Sequence, residues 1–411
     1  MGTPIIQTPN IDQLARQGTL FQNNFCATAI CCTSRANIFT GRYGTPLGLH
    51  RFDKPLPEEA WRQSYPMLLK AAGYRTGFIG KFGIGDPLPK DDFDFWRGYS
   101  GQGRYFEDPD GKGVHLTRRM SGQALEFLEG CTSEHPFCLS VSFKAPHVDD
   151  AATVNLFPPD PADLGLYAKD VIPEPKTATD AAWKRMPGFL RESEGHVRWQ
   201  TRFGTPAMFQ DTAKNIYRLI TGVDRAIGEM IAKLEERGLR ENTLIVFTSD
   251  NGFFMGERRF EGKWLVYEES IRTPLIVFDP RLPATLRGRR LDPMTLNLDI
   301  APTLLDFAGL EPPALMRGRS LRPLLYGEDT DWRKEWFYEH HFEHPKIPRS
   351  EGVRTERWKY IRYLDTAPLY EEIYDLSADP LEQTNLVAEE AHKETLMGLR
   401  ERWRVLKGQI G

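Results

Sequence analysis

A chain of 411 residues is long enough to bury a large core, and that length suits one big domain with a smaller one. Apolar residues at 40% and charged residues at 27% are the balance of a globular enzyme, and a net charge of -4 gives no footing for nucleic acid or an anionic membrane as partner. No apolar run approaches the roughly 18 residues that span a bilayer, and five cysteines at irregular spacing make no disulfide framework.

The chain opens on a loop from Met1 and Gly2. Thr8 then suits an N-cap, Pro9 a first helical position and Gly18 a stop. Ile30-Cys31-Cys32-Thr33-Ser34-Arg35-Ala36-Asn37-Ile38-Phe39-Thr40-Gly41 follows. It reads as one or two helical turns that start near Ser34 and end at a glycine cap. A helix start offers free N–H groups and a positive dipole end to an anion. Cys31 would sit just outside that end, with Arg35 over the same turn. The competing reading is a buried structural cysteine pair before a core helix.

Helical and strand signals then alternate, as in a doubly wound, mostly parallel α/β domain. Residues 67–73 read as a helix and 76–80 as a strand. Residues 117–129 read as an amphipathic helix, with Met120, Ala124, Leu125 and Leu128 inward, and 137–143 as a buried strand. Cys138 falls inside that strand, and its pairing with Cys131 stays open. Prolines break the pattern between 147 and 210, which reads as a binding loop or lid at 148–210. The clearest helix covers 212–237, where Ile216, Leu219, Ile220, Val223, Ile227, Met230, Ile231 and Leu234 share one face. A strand at 243–249 leads into Asp250-Asn251-Gly252, another runs from 274 to 278, and a helix from 299 to 308. These elements make a first domain of 1–322. Beyond it the texture turns aromatic, with strand-like pieces at 335–339, 352–355 and 358–364 and a helix at 389–406. Residues 323–411 read as a small α+β subdomain.

Ligands of open α/β sheets gather at the carboxyl ends of the strands. Asp250 and Asn251 stand at such an end, where paired oxygens suit a hard cation such as calcium; the same three residues are also good turn chemistry. Lys263 in Gly262-Lys263-Trp264, His147 in Phe143-Lys144-Ala145-Pro146-His147 and Lys81 in Gly80-Lys81-Phe82-Gly83-Ile84-Gly85 all follow predicted strands. His340, His341 and His344 have metal-like spacing but no cysteine near them, which favours a substrate rim or plain surface. His50 joins His340 and His341 as a candidate substrate contact.

The string from Cys31 to Arg42 resembles the signature of the type I sulfatases, Cys-x-Pro-Ser-Arg followed by a helix ending in Thr-Gly-Arg. Thr33 stands where that family has proline or alanine. The Asp-Asn pair, the Gly-Lys segment at 262–263, the Pro-His pair at 146–147 and the Gly-Lys segment at 80–81 resemble its other motifs, with Gly83 in place of a histidine. The segments at 351–360 and 374–386 resemble its carboxy-terminal subdomain. The resemblance implies an alkaline-phosphatase-like fold and a sulfuric ester hydrolase. It implies that Cys31 is oxidised to formylglycine by a modifying enzyme, that one calcium ion binds at Asp250, Asn251 and the modified Cys31, and that Arg35, Lys81, His147 and Lys263 are catalytic. The hydrated aldehyde would attack sulfur, the lysines and calcium would hold the sulfate oxygens, His147 would assist the departing alcohol and Arg35 would orient the nucleophile.

The substrate implied is a sulfated small molecule or glycan, and the location periplasmic or secreted. The family pattern also has a first strand with two adjacent aspartates ahead of residue 8. The chain as written is expected to lack that strand, any export signal and part of the calcium shell of about six to eight oxygens. Two readings compete: a phosphonate monoester or phosphodiester hydrolase of the same superfamily, and a non-catalytic binder of sulfated glycans.

Overall fold

The computed structural model describes residues 3–107 and 113–411; the loop expected at Met1 and Gly2 lies outside them. The longer helices in chain order are α1 (Pro9–Gln17), α2 (Cys31–Thr40), α3 (Tyr65–Ala71) and α4 (Leu116–Glu129). They continue with α5 (Glu194–Arg202), α6 (Pro206–Glu236), α7 (Ile300–Phe307) and α8 (Lys393–Lys407). The strands are β1 (Thr19–Phe25), β2 (Arg75–Lys81), β3 (Phe95–Tyr99), β4 (Phe137–Ser142), β5 (Ile245–Thr248), β6 (Phe254–Met255) and β7 (Glu261–Gly262). Then come β8 (Arg272–Phe278), β9 (Arg289–Leu291), β10 (Thr295–Leu296), β11 (Glu335–His340), β12 (Ser350–Thr355), β13 (Trp358–Tyr363) and β14 (Tyr370–Asp375).

The expected α/β fold is present. β2 pairs in parallel with β3 on one side and β4 on the other. A second sheet runs β10-β1-β8-β5, with β9 also on β1 and with β8 antiparallel to both neighbours. Side chains alternate across a strand, so β2 feeds two cores at once. Ile79 points into a cluster with Met120 and Ala124 of α4 and Ile216, Leu219 and Val223 of α6. Phe78 points into another with Phe39 of α2, Leu69 of α3 and Leu305 of α7. The strand expected to be buried at 137–143 is only half-buried along β4, and β5 is likewise. Each pairs on one side only among the described residues, so one edge of each lacks a strand partner there.

Two helix starts differ from the sequence reading for local reasons. α6 begins at Pro206, well before 212, because Thr205 Oγ1 caps it by accepting from Met208 N at 3.2 Å and Pro206 fits the first turn. α1 starts where expected, but the Thr8 hydroxyl does not cap it. Asp224 of α6 accepts instead from Ile11 N at 2.8 Å and from Asn10 N at 3.3 Å. Strand β3 was not foreseen.

β11 to β14 form an antiparallel meander, with α8 against β11, β12 and β13. Trp336, Tyr338, Ile361, Tyr363 and Tyr374 pack on Phe25, Phe254, Tyr267 and Ile271. Buried charges cross the same junction: Lys359 Nζ of β13 lies 2.8 Å from Glu268 and 2.5 Å from Glu382. The stretch from 148 to 210 is not bare loop. Its short helices and α5 are anchored there, with Leu190 buried in the same cluster as Phe254 and Phe260.

Candidate active site

The nucleophile candidate begins a helix rather than preceding one. Ile30 is extended (φ -147°, ψ 136°), and Ser34 N donates to Ile30 O at 2.9 Å, so Cys31 is the first residue of α2 and not an outlier before Ser34. Gly41 ends the helix in the left-handed region at φ +62°. Cys31 and Cys32 are both buried, among Ile30, Trp264, Phe342 and Ile347. Their thiols nevertheless differ. Burial pushes Cys31 up, but Lys81, Lys263 and Arg35 outweigh burial and Asp250, and the net direction is down. Burial and the neighbouring Cys31 push Cys32 up to about 12.

The carboxyl ends of β2, β4 and β5 meet at Arg35, one turn along α2. Its guanidinium donates to Lys81 O at 2.6 Å, to Asp250 Oδ2 at 3.1 Å and to Ser142 Oγ. Ser34 Oγ donates to Asp250 O and accepts from Asn297 Nδ2 at 2.8 Å, which fixes the other side of the turn. Lys81, Lys144 and Lys263 are 2%, 3% and 8% exposed, an unusual depth for three lysines in one region. Lys81 Nζ donates to Gln102 Oε1 at 2.5 Å. Burial lowers Lys81 from the ordinary lysine value, and burial brings Lys144 down to about 8. Lys263 follows Gly262, whose φ of +103° only glycine adopts freely, and precedes Trp264, whose N–H donates to Ala29 O at 3.1 Å.

Asp250 and Asn251 end the β5 segment as the sequence suggested. Burial opposes ionisation of Asp250, yet Arg35, Lys263 and Lys81 hold its carboxyl below the usual range. Asn251 Nδ2 donates to Gly252 O at 2.7 Å, while Asn251 Oδ1 is buried with no hydrogen-bond partner. An ionised carboxylate beside an orphaned amide oxygen fits part of a hard cation's shell. No group of three or more His, Cys, Asp or Glu side chains that could hold a metal occurs among the described residues.

His147 Nδ1 lies 2.9 Å from Val148 O; a carbonyl only accepts, so Nδ1 carries the proton and Nε2 is the free acceptor of the neutral ring. Burial, then Lys263 and Lys81, push His147 far below its ordinary value. An anion between the lysines would offset part of their field. The histidines of the supposed rim separate. His341 is half-buried between Thr45 Oγ1 at 2.9 Å and Glu351 Oε1 at 2.7 Å, and the His50 ring lies 6.0 Å from it. His344 is exposed. His340 is not on a rim: it closes β11, where strand pairing with Ser350 buries the ring completely, and neither ring nitrogen has a partner. All five cysteines are free, Cys131 and Cys138 included.

Gln102 and Lys144 escaped the sequence reading. Lys144 stood three residues before His147 in a quoted motif. Gln102 lies between two glycines just past β3, and without that strand nothing marked it.

A family model described as Sulfatase matches residues 1–310, and one described as N-sulphoglucosamine sulphohydrolase, C-terminal, matches 256–409. The N-acetylglucosamine-6-O-sulfatase of Bacteroides thetaiotaomicron is 31% identical, over 97% of this chain and 82% of that protein. A solved structure in complex with its substrate, D-glucosamine-2-N,6-O-disulfate, superposes with a TM-score of 0.83 at 29% identity, over 100% of this chain and 94% of that one. The phosphonate monoester hydrolase of Agrobacterium radiobacter shares the fold, with a TM-score of 0.78 at 24% identity, over 100% and 92%.

Proposed function

The chain belongs to the sulfatase family, and from that premise we propose how its residues divide the work of sulfate-ester hydrolysis and what the ester is attached to. Cys31 is the residue that a separate modifying enzyme oxidises to formylglycine; as its hydrate, that aldehyde supplies an oxygen nucleophile where the thiol stands. Lys81 and Lys263 hold the sulfate oxygens and meet the charge that develops on them. Arg35 orients the nucleophile's turn through its bonds to Asp250 and Lys81 O. His147 Nε2, the free acceptor of the neutral ring, takes up the proton that the nucleophilic hydroxyl gives up and passes it to the oxygen of the departing alcohol. Asp250 and Asn251 would hold calcium, which adds a Lewis-acid charge at the same oxygens.

The observation that carries this reading is the place of Arg35, one turn after buried Cys31 at a helix start, where it bonds to Lys81 O at 2.6 Å and to Asp250 Oδ2 at 3.1 Å and so gathers the ends of β2 and β5 at that start. The substrate is a sulfated carbohydrate, with N-acetylglucosamine 6-sulfate the first to test, since a relative carries that sugar in its name. In the same proposal 1–322 is the catalytic domain, 148–210 an insertion over the site, and 323–411 a subdomain. The test is turnover by the full chain, made beside a formylglycine-generating enzyme. N-acetylglucosamine 6-sulfate, an aryl sulfate and a phosphodiester are compared, with Cys31→Ala as control. Sulfate release that vanishes in the control is expected. Faster phosphodiester cleavage would favour the phosphonate-type reading, and glycan binding without turnover the binder.

A further inference from the structure

Lys81 ends β2, and its ammonium is nearly sealed from water. A lysine so placed needs an acceptor to keep its head charged and aimed. Gln102 provides one, with Oε1 at 2.5 Å from Lys81 Nζ. The pairing follows from topology. β2 and β3 are parallel neighbours with Lys81 in register with Tyr99, so the residues just past β3 stand beside the end of β2.

The chain makes a tight turn there. Gly101 and Gly103 flank Gln102 at φ +65° and +66°, and a side chain at 103 would meet the Tyr99 ring at 2.6 Å. A second lysine pins the turn from the far side. Lys144 Nζ donates to Gln102 O at 2.9 Å and to Val148 O at 2.9 Å, which ties the β3 turn to the segment carrying His147. Tyr105 adds two ties to that segment, from its hydroxyl to His147 O at 2.7 Å and from its N–H to Asp149 Oδ2 at 3.2 Å. The other flank of Lys81 is lined by Gly83, which has no side chain to offer. A Cβ at Gly83 would lie 3.2 Å from Arg35 Cδ and 3.3 Å from Lys81 Cε, a tight approach on that side.

We propose that Gln102 is a positioning residue of the sulfate site, acting through Lys81 by holding its ammonium, with Lys144 locking the turn that presents it. The inference rests on the assignment of Lys81 to the sulfate and goes beyond it by naming what aims that charge. It makes a coupling prediction that a merely structural role does not. Removing the acceptor matters only while Lys81 is there to be held.

The experiment is a double-mutant cycle on the full, modified chain, with Gln102→Met, Lys81→Ala and the pair. kcat, KM and inhibition by inorganic sulfate are measured on one sulfate ester, and thermal unfolding confirms the fold. Gln102→Ala serves as a second variant should Gln102→Met not fold. The expected result is a loss of about 10-fold in kcat/KM and weaker sulfate inhibition for Gln102→Met, with the double variant within about 2-fold of Lys81→Ala alone. Multiplying losses, or an unimpaired Gln102→Met, would overturn the role given to Gln102 while leaving the sulfate site intact. An unimpaired Lys81→Ala would instead remove the assignment beneath it, and the proposal with it.

Discussion

Charge decides the chemistry at the scale of single residues. Lys81→Ala and Lys263→Ala are each expected to lower kcat by about 10²-fold, the scale of one preorganised donor lost from a buried site. Saturating substrate should not restore the rate. His341→Ala, whose ring is held by Thr45 and Glu351, should act mostly on KM and by much less. His340 gives a different test, because its burial is structural. Burial and then His341 push it down to about 3. The unfolded chain therefore binds a proton between about pH 6.5 and 3 that the folded chain refuses, so this contribution is intact above 6.5 and is lost as pH falls. His340→Leu should lose about 2 kcal/mol less than wild type between pH 7 and pH 5, read from urea unfolding at the two values. The candidate residues Cys31, Arg35, Lys81, Asp250 and Lys263 were legible because each sits in a short motif at an element end. The burial of His340 was not, since three nearby histidines look alike whether their ring is in solvent or under a sheet.

Elements show why some of the site was hidden. Period and caps placed α4, α7 and the body of α6, and they found β2 and β8 through apolar runs. They missed β3, whose Phe95-Trp96-Arg97-Gly98-Tyr99 has neither alternation nor a β-branched residue, and Gln102 went with it. They set α6 too late because Thr205 and Pro206 read as the end of a proline-rich loop rather than as a cap. Thr205→Ala should accordingly cost about 1 kcal/mol of stability by denaturant unfolding. α2 was seen but begun too late, and the correction has consequences. With Cys31 as its first residue, the orphan N–H groups and the positive dipole end lie at the reacting position itself.

For the whole molecule, the junction between the two sheet systems carries both packing and charge. Lys359 is fully buried between Glu268 and Glu382, and Arg354 Nε also reaches Glu268 at 3.2 Å. Lys359→Met takes the nearest cation from Glu382 and leaves Glu268 to Arg354, and that excess of buried negative charge should destabilise the protein by about 3 kcal/mol. That loss should be visible as a lower urea midpoint. The same docking brings Phe342 and Ile347 into one buried cluster with Cys31 and Trp264. Together these contacts assemble a sulfate-ester hydrolase whose nucleophile derives from Cys31, as proposed above. Peptide mass spectrometry of a preparation that turns over a sulfate ester tests it most directly. The expected result is an aldehyde at Cys31, Cys32 unmodified, and neither aldehyde nor turnover in Cys31→Ala. An active preparation with its aldehyde at Cys32, or with Cys31 still a thiol, would contradict it.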